Sequence, residues 1–415
     1  MEIISKAVKC GDCNILRGTS DCLLIDCGSD NRGNFANSAA FSFSKIRREV
    51  SDKSITDIMV SHFHKDHFIG ILKIPDTYSI NTAYLPYSII DGKVLYSEGI
   101  GRLLAVASPR SWGFQLSKNI IGLFKKLNAI SKEVRFVKKG DFIPFDKNRI
   151  RILWPDVTPA SIYMELPIRR LDKSDVPDSI RGNELSSIEK NIRSETDSSL
   201  SYFDAEKKLS SDFDRLIGER DRDLLATTQE FIGCFSSFLI GLHNEEKTEI
   251  NTTIAAYERL MQQRKLFRDK IDESMKGDIN HLSLQQYHSL VTCMNAISII
   301  CDCGNRFLFL GDAPAKIIEH IVPSCKKRYT FVKVQHHGTS PYFTKKTPKG
   351  AYNLISNGGH TWRKICENNV GLNTVICTDA HINPHDYCKY VRTARTGSCS
   401  SKCIKVVNGQ HITSV

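Results

Sequence analysis

The stretch Ser61-His62-Phe63-His64-Lys65-Asp66-His67 places four metal-competent side chains within six residues, in the order His-x-His-x-Asp-His. Imidazole nitrogens mixed with a carboxylate suit Zn²⁺, and also Mn²⁺ or Fe²⁺. The bland alternative is a group of solvated surface histidines. It fails on density: the chain has 13 His in 415 residues, and three of them sit here beside an Asp. The residues before the cluster, Ile55 to Val60, are largely apolar or β-branched and read as a buried strand. Phe68, Ile69, Gly70, Ile71 and Leu72 follow it, and Pro75 acts as a stop. A cluster at the carboxyl end of a strand, on the loop entering a helix, can turn its side chains toward one point.

Three further stretches put acidic or imidazole groups at the ends of apolar runs. They are Leu23-Leu24-Ile25-Asp26-Cys27-Gly28, Phe307-Leu308-Phe309-Leu310-Gly311-Asp312, and Phe331-Val332-Lys333-Val334-Gln335-His336-His337-Gly338-Thr339-Ser340. Together with the histidine loop, and in this order, they resemble the signature of the metallo-β-lactamase superfamily. The last stretch is similar to the hydrolase domain of bacterial DNA-uptake competence proteins and to bacterial phosphorylcholine esterases. The resemblance covers roughly residues 1–155 and 290–415.

That resemblance implies an α/β fold, the αββα four-layer sandwich, and two divalent metal ions, Zn²⁺ or Mn²⁺. It assigns His62 and His64 to the first metal, Asp66 and His67 to the second, and Asp312 as the bridge. One of His336 and His337 completes the second site, and the spacing leaves open which. The other faces substrate or acts as general acid. Asp26 is implied as a hydrogen-bonding support of the metal loop. Most members carry one more histidine for the first metal. Here the corresponding stretch reads Cys293-Met294-Asn295-Ala296-Ile297-Ser298, so Asn295 and Ser298 stand near that position and the first site is expected to be weak or labile. Gly338, Thr339 and Ser340 offer backbone N–H and hydroxyl donors to phosphate oxygens, and Lys345 and Lys346 follow them. His360 resembles a histidine of a glycine-rich loop near the active site, with a substrate or proton-transfer role.

The elements that must position these groups are legible in outline. Residues 1–155 read as the N-terminal half of the sandwich: strand, turn and strand from Ile3 to Gly28, a helix around Phe43 to Val50, and then alternating helices and strands. Residues 156–290 change character. A charged stretch to about 212 lacks periodicity, and two helices with one apolar face each are expected between Phe213 and about Met275. This reads as a helical insertion, a cap or a dimerisation element. Residues 291–415 resume the sandwich with a hairpin turning at Gly304-Asn305 and strands near Tyr329, Ala351 and Asn373.

Composition bounds the function. Hydrophobic residues make up 41% and charged residues 25%, ordinary for a soluble globular chain. The formal charge of +11 favours a polyanionic partner without demanding one. The 14 cysteines show no regular framework, and no apolar leader follows Met1, so a reduced, cytoplasmic protein without a membrane anchor is expected. The leading expectation is a phosphodiesterase acting on nucleic acid by attack of a metal-bound hydroxide. A second is hydrolysis of a small phosphoester, cyclic nucleotide or lactone. A third, a non-enzymatic sensor or scaffold with a structural metal, is opposed by the intact ligand set.

Overall fold

Short β-branched and aromatic runs punctuated by Gly, Asn and Asp turns build sixteen strands among the described residues. The structure is a computed structural model and describes residues 1–8, 11–29, 35–87, 99–105, 112–156, 202–240, 246–269, 290, 293–338, 344–356, 374–377, 396–399, 404–407 and 411–414. The first sheet contains β1 (Glu2–Ser5), β2 (Cys13–Arg17), β3 (Cys22–Cys27), β4 (Asp57–Met59), β5 (Ile80–Pro86) and β6 (Ser131–Val137), with β15 (Ile404–Val407) and β16 (His411–Ser414) beyond β1. The second contains β7 (Phe142–Phe145), β8 (Asn148–Trp154), β9 (Ile300–Cys303), β10 (Phe307–Phe309), β11 (Tyr329–Lys333), β12 (Gly350–Ile355), β13 (Thr374–Cys377) and β14 (Thr396–Cys399) in that spatial order.

Both sheets are mixed in the same way. β1, β2 and β3 pair antiparallel and β3 to β6 parallel, while β7 to β10 pair antiparallel and β10 to β14 parallel. Parallel strands release their loops on one edge, the edge where open α/β sheets bind ligands. β3, β4, β10 and β11 all lead into candidate site residues there. The period-two pattern sends Leu23 and Ile25 from the first sheet, and Ile150, Ile152, Phe307, Phe309 and Phe331 from the second, into one shared core. The Phe307 ring stacks on those of Phe309 and Phe331 at centroid distances of 6.3 and 6.0 Å. Leu24, Ile58 and Leu308 on the opposite faces are also buried, as central parallel strands require.

At the other edge, two hairpin turns clasp each other. The Asp146 carboxylate, in the β7–β8 turn, accepts backbone N–H groups from Thr19 (2.7 Å), Ser20 (3.1 Å) and Asp21 (3.1 Å) in the β2–β3 turn. The Asp146 N–H is returned to the Asp21 carboxylate. A Cβ on Gly18 would lie 1.9 Å from Asp146 Oδ2, so glycine is what lets that carboxylate approach.

The chain divides into two compact units: residues 1–87, 122–157 and 295–415, and residues 88–121 and 158–294. The second thus draws on 88–121 as well as on the stretch expected to be a helical insertion. Its described stretch 202–268 forms three helices, α1 (Tyr202–Gly218), α2 (Arg222–Ile240) and α3 (Glu246–Arg268), where periodicity suggests two from Phe213 onward. The extra boundary lies at 219–221. Gly218 ends one helix, and Asp221 Oδ1 accepts the Leu224 N–H at 2.9 Å to cap the next. Thr253 reaches Cys234, Tyr257 reaches Phe231, and Arg259 reaches Glu230. One series of numbers rises as the other falls, so α2 and α3 run antiparallel. Among the described residues no helix is long and apolar enough to cross a membrane.

Candidate metal centre

The histidine loop leaves the carboxyl end of β4 and enters the short helix Lys65–Phe68. Its floor is the end of β3. Asp26 adopts a left-handed backbone, φ 58°, and its carboxylate accepts the Ser61 N–H and hydroxyl, each at 2.7 Å, and faces His67 Nδ1 at 2.8 Å. Gly28 lies against the loop itself: a Cβ there would meet the carbonyl carbon of Asp66 at 2.1 Å and the nitrogen of His67 at 2.3 Å.

β10 delivers Asp312 through Gly311, φ 52°. β11 ends in His336 and His337, whose φ values of 44° and 55° precede Gly338 at 73°. Two successive non-glycine residues in the left-handed region are costly, and such backbone clusters at functional sites. The His336 N–H is held by the Gly311 carbonyl at 3.0 Å, which ties the two loops together.

One atom organises the cluster. Asp312 Oδ2 stands 3.8 Å from His62 Nε2, 3.4 Å from His67 Nε2, 3.7 Å from His336 Nε2 and 3.7 Å from His337 Nε2. Asp66 Oδ2 joins on one side, 3.8 Å from His67 Nε2 and 3.3 Å from His337 Nε2. Donors about 2.0–2.2 Å from a tetrahedral cation stand roughly 3.3–3.6 Å apart, so this spacing suits one. On the other side His62 Nε2 lies 2.9 Å from His64 Nδ1, and these two with Asp312 form a second, three-donor group. His337 is 3% exposed in its side chain and His336 15%, so the geometry favours His337 as donor to the four-member group.

Asp12 is the member that sequence reading missed. It groups with His67, Asp312 and His337 within ligand reach, but it approaches the rings from behind: Oδ2 is 3.8 Å from His67 Nδ1 and 4.0 Å from His337 Nδ1. A ring that binds a cation through Nε2, where Asp66 and Asp312 converge, cannot offer Nδ1 to the same ion. Asp66 is therefore the better fourth donor and Asp12 an outer partner. Its Oδ1 pairs with Lys333 Nζ at 2.9 Å, both side chains fully buried. A Gly-Asp pair opening a strand carries no chemical signal of its own, and Lys333 reads as part of an apolar run.

The electrostatics follow from burial and crowding. Burial alone would raise Asp312, but the imidazoles of His67, His337 and His336 bring it well below the usual carboxylate range. Burial depresses His62 well below the ordinary imidazole value and His64 to about 4. Burial would also depress His67, yet the carboxylates of Asp312, Asp66 and Asp26 lift it. Four carboxylates (Asp12, Asp26, Asp66 and Asp312) share this region with the ammonium of Lys333. His67 Nε2 and Asp312 Oδ1 are buried without a hydrogen-bond partner. Buried lone pairs beside surplus negative charge fit a divalent cation.

Asn295 and Ser298 are buried. Ile299 N–H donates to the Ser61 carbonyl at 2.9 Å, and a Cβ on Gly311 would sit 2.9 Å from Ser298 Cβ, so the backbone after Ser298 is tied to the histidine loop and Ser298 itself stands against Gly311. Of the expected substrate groups, Lys346 pairs with Glu319 at 3.0 Å, and Lys345 is exposed beside it. Thr339, Ser340 and His360 lie outside the described residues.

Residues 11–107 match the family model of the Metallo-beta-lactamase superfamily. The superfamily typically binds divalent metals and is mostly hydrolytic. The matched segment contains Asp12, Asp26 and the whole histidine loop, and ends before the strands that deliver Asp312 and His337. No curated protein matches the chain.

Proposed function

We propose that the protein is a metal-dependent hydrolase of phosphodiesters, with nucleic acid as the substrate class. The observation that carries the reading is Asp312 Oδ2, faced at 3.4–3.8 Å by the Nε2 atoms of four histidines from two separate loops. A lone structural ion has no use for a carboxylate placed between two donor groups. Asp66, His67, His337 and Asp312 would hold one cation, and His62, His64 and Asp312 the other. When bound, two such ions supply Lewis acidity, lower the pKa of a water and stabilise a leaving oxygen. Zn²⁺ or Mn²⁺ fits the mixed nitrogen and oxygen donors.

The remaining chemistry falls to the chain. Asp26 holds the His67 ring by Nδ1 and so keeps Nε2 turned inward. His336, the more exposed of the pair, supplies a proton to the leaving oxygen. The diester reading rests on the formal charge of +11 and on the His-His-Gly sequence after β11, whose likeness to competence-type hydrolases suggested it. Metal analysis of the purified protein, then incubation of single-stranded DNA, RNA and bis-p-nitrophenyl phosphate with Mn²⁺ or Zn²⁺, tests the reading. Turnover of diesters that disappears in His67→Ala is expected. Turnover of a lactone or a phosphomonoester with none of any diester would remove the diester reading and leave the hydrolase.

A further inference from the structure

We propose that Asp12 is a positioning residue of the metal centre: its carboxylate, neutralised by Lys333, orients His337 through Nδ1 as Asp26 orients His67. This rests on the metal-dependent reading above and adds residues that reading does not use.

Asp12 is held where it can do this and little else. Its N–H donates to the Asp66 carbonyl at 3.0 Å, and its carbonyl accepts the Gly28 N–H at 2.9 Å. Gly11 before it has φ 150°, and a Cβ there would lie 2.4 Å from the Gly28 carbonyl oxygen and 2.7 Å from that of Asp66. The segment is thus pressed onto the ligand loop by its backbone. Its side chain is completely buried and turned toward the second sheet, where Lys333 Nζ meets Oδ1 at 2.9 Å.

Oδ2 is left facing the Nδ1 atoms of His67 at 3.8 Å and His337 at 4.0 Å. His67 Nδ1 is already engaged by Asp26 at 2.8 Å, so His337 is the ring for Asp12 to serve. At 4.0 Å the contact is electrostatic rather than a hydrogen bond. It favours the tautomer with the proton on Nδ1 and leaves the Nε2 lone pair toward Asp66 and Asp312. Lys333 has a reciprocal need. An ammonium buried on the strand that carries His337 is costly unless paired, so Asp12 also fixes the end of β11.

A purely structural ion pair and a positioning pair respond differently to mutation. Zn²⁺ alone would be titrated against a chromophoric chelator, with melting recorded in excess chelator, for the wild type, Asp12→Asn and Asp12→Asn/Lys333→Met. Asp12→Asn leaves the ammonium buried and unpaired, so both melting temperature and affinity should fall. The double variant removes that burden. Its chelator-treated melting temperature should return toward wild type while Zn²⁺ affinity stays about 10–100-fold weaker. Affinity that is unchanged in Asp12→Asn, or that recovers with stability in the double variant, overturns the proposal. Should Asp12→Asn fail to fold, the double variant decides by its affinity alone. Should both fail, ¹⁵N imidazole spectra of Zn²⁺-loaded wild type decide: His337 metallated at Nε2 with Nδ1 protonated supports it, and metallation at Nδ1 overturns it. Wild-type protein that takes up no cation removes the metal-dependent reading itself.

Discussion

Asp312 follows a strand and precedes a helix, a place where Asp often caps. The helix Ala315–Ile321 has Pro314 at its N-cap and no side-chain cap hydrogen bond, so Asp312 has no capping role to lose. Its Oδ2 is instead surrounded by imidazoles. Asp312→Asn should therefore lower metal content by more than one equivalent if wild type holds two, with little change of melting temperature in chelator. Metal content by mass spectrometry, read beside melting, checks this; full metal with a stability loss of ~1 kcal/mol would restore the capping role. The neighbouring histidines separate in the same assay. His337→Ala should lose metal, since its Nε2 lies 3.3 Å from Asp66 and 3.7 Å from Asp312. His336→Ala should keep metal and lose rate. Metal loss of equal size in both would mean that His336 is a ligand too.

Between elements, close approach of backbone decides the site. Gly28→Ala would drive a Cβ into the Asp66–His67 peptide, whose atoms lie 2.1–2.4 Å from that position. Overpacking of this kind costs about 1–3 kcal/mol, and because the displaced peptide carries two proposed ligands, metal affinity should fall along with stability. Unchanged zinc affinity in a folded Gly28→Ala protein would count against the docking of β3 on the loop. The turn clasp is titratable. Burial pushes the Asp146 carboxyl upward, but the N–H groups of Ser20, Thr19 and Asp21 and the Ser20 hydroxyl outweigh it and hold the pKa down to about 2. A carboxyl depressed in the folded state adds stability that is complete above its unfolded pKa of ~3.9 and lost as pH falls through the folded value. The melting temperature of wild type should exceed that of Asp146→Asn at pH 6, and the gap should narrow below pH ~4. A gap that stays constant down to pH 3 would mean that the carboxylate charge contributes nothing.

What was legible at this scale followed from local signals. The histidine loop announces itself by density, and β10 and β11 by apolar runs ending in Asp or His. Asp12 and Lys333 pair across 321 residues of sequence and Asp146 reaches its partners across 125 to 127, contacts that only the pairing of two sheets brings near. Nothing local marks them. The start of the helix Tyr202–Gly218 escaped, because its charged residues up to 212 hide a helix whose buried stripe, with Phe213 and Ile217, shows only at its end.

At the scale of the whole molecule, the proposed ligand set is divided. His62, His64, Asp66 and His67 follow β4 of the first sheet, while Asp312 and His337 follow β10 and β11 of the second. A cation shared by these donors would bond both sheets, beside a core to which both contribute. Binding to the folded state alone stabilises it by about 2.7 kcal/mol at a cation concentration 100 times Kd. For a unit of this size that corresponds to a rise of roughly 5–11 °C, taking about 2–4 °C per kcal/mol. Protein stripped with chelator should melt lower by this order, with secondary structure at 25 °C unchanged, and Zn²⁺ or Mn²⁺ should restore it. The second unit, residues 88–121 and 158–294, contributes no ligand to the cluster among the described residues. If calorimetry resolves two transitions, only one should therefore move with metal, and in Asp312→Asn that one should stay near its chelator-treated position. Equal movement of both transitions, or of neither, would sink the view that the cation joins the two sheets of the first unit.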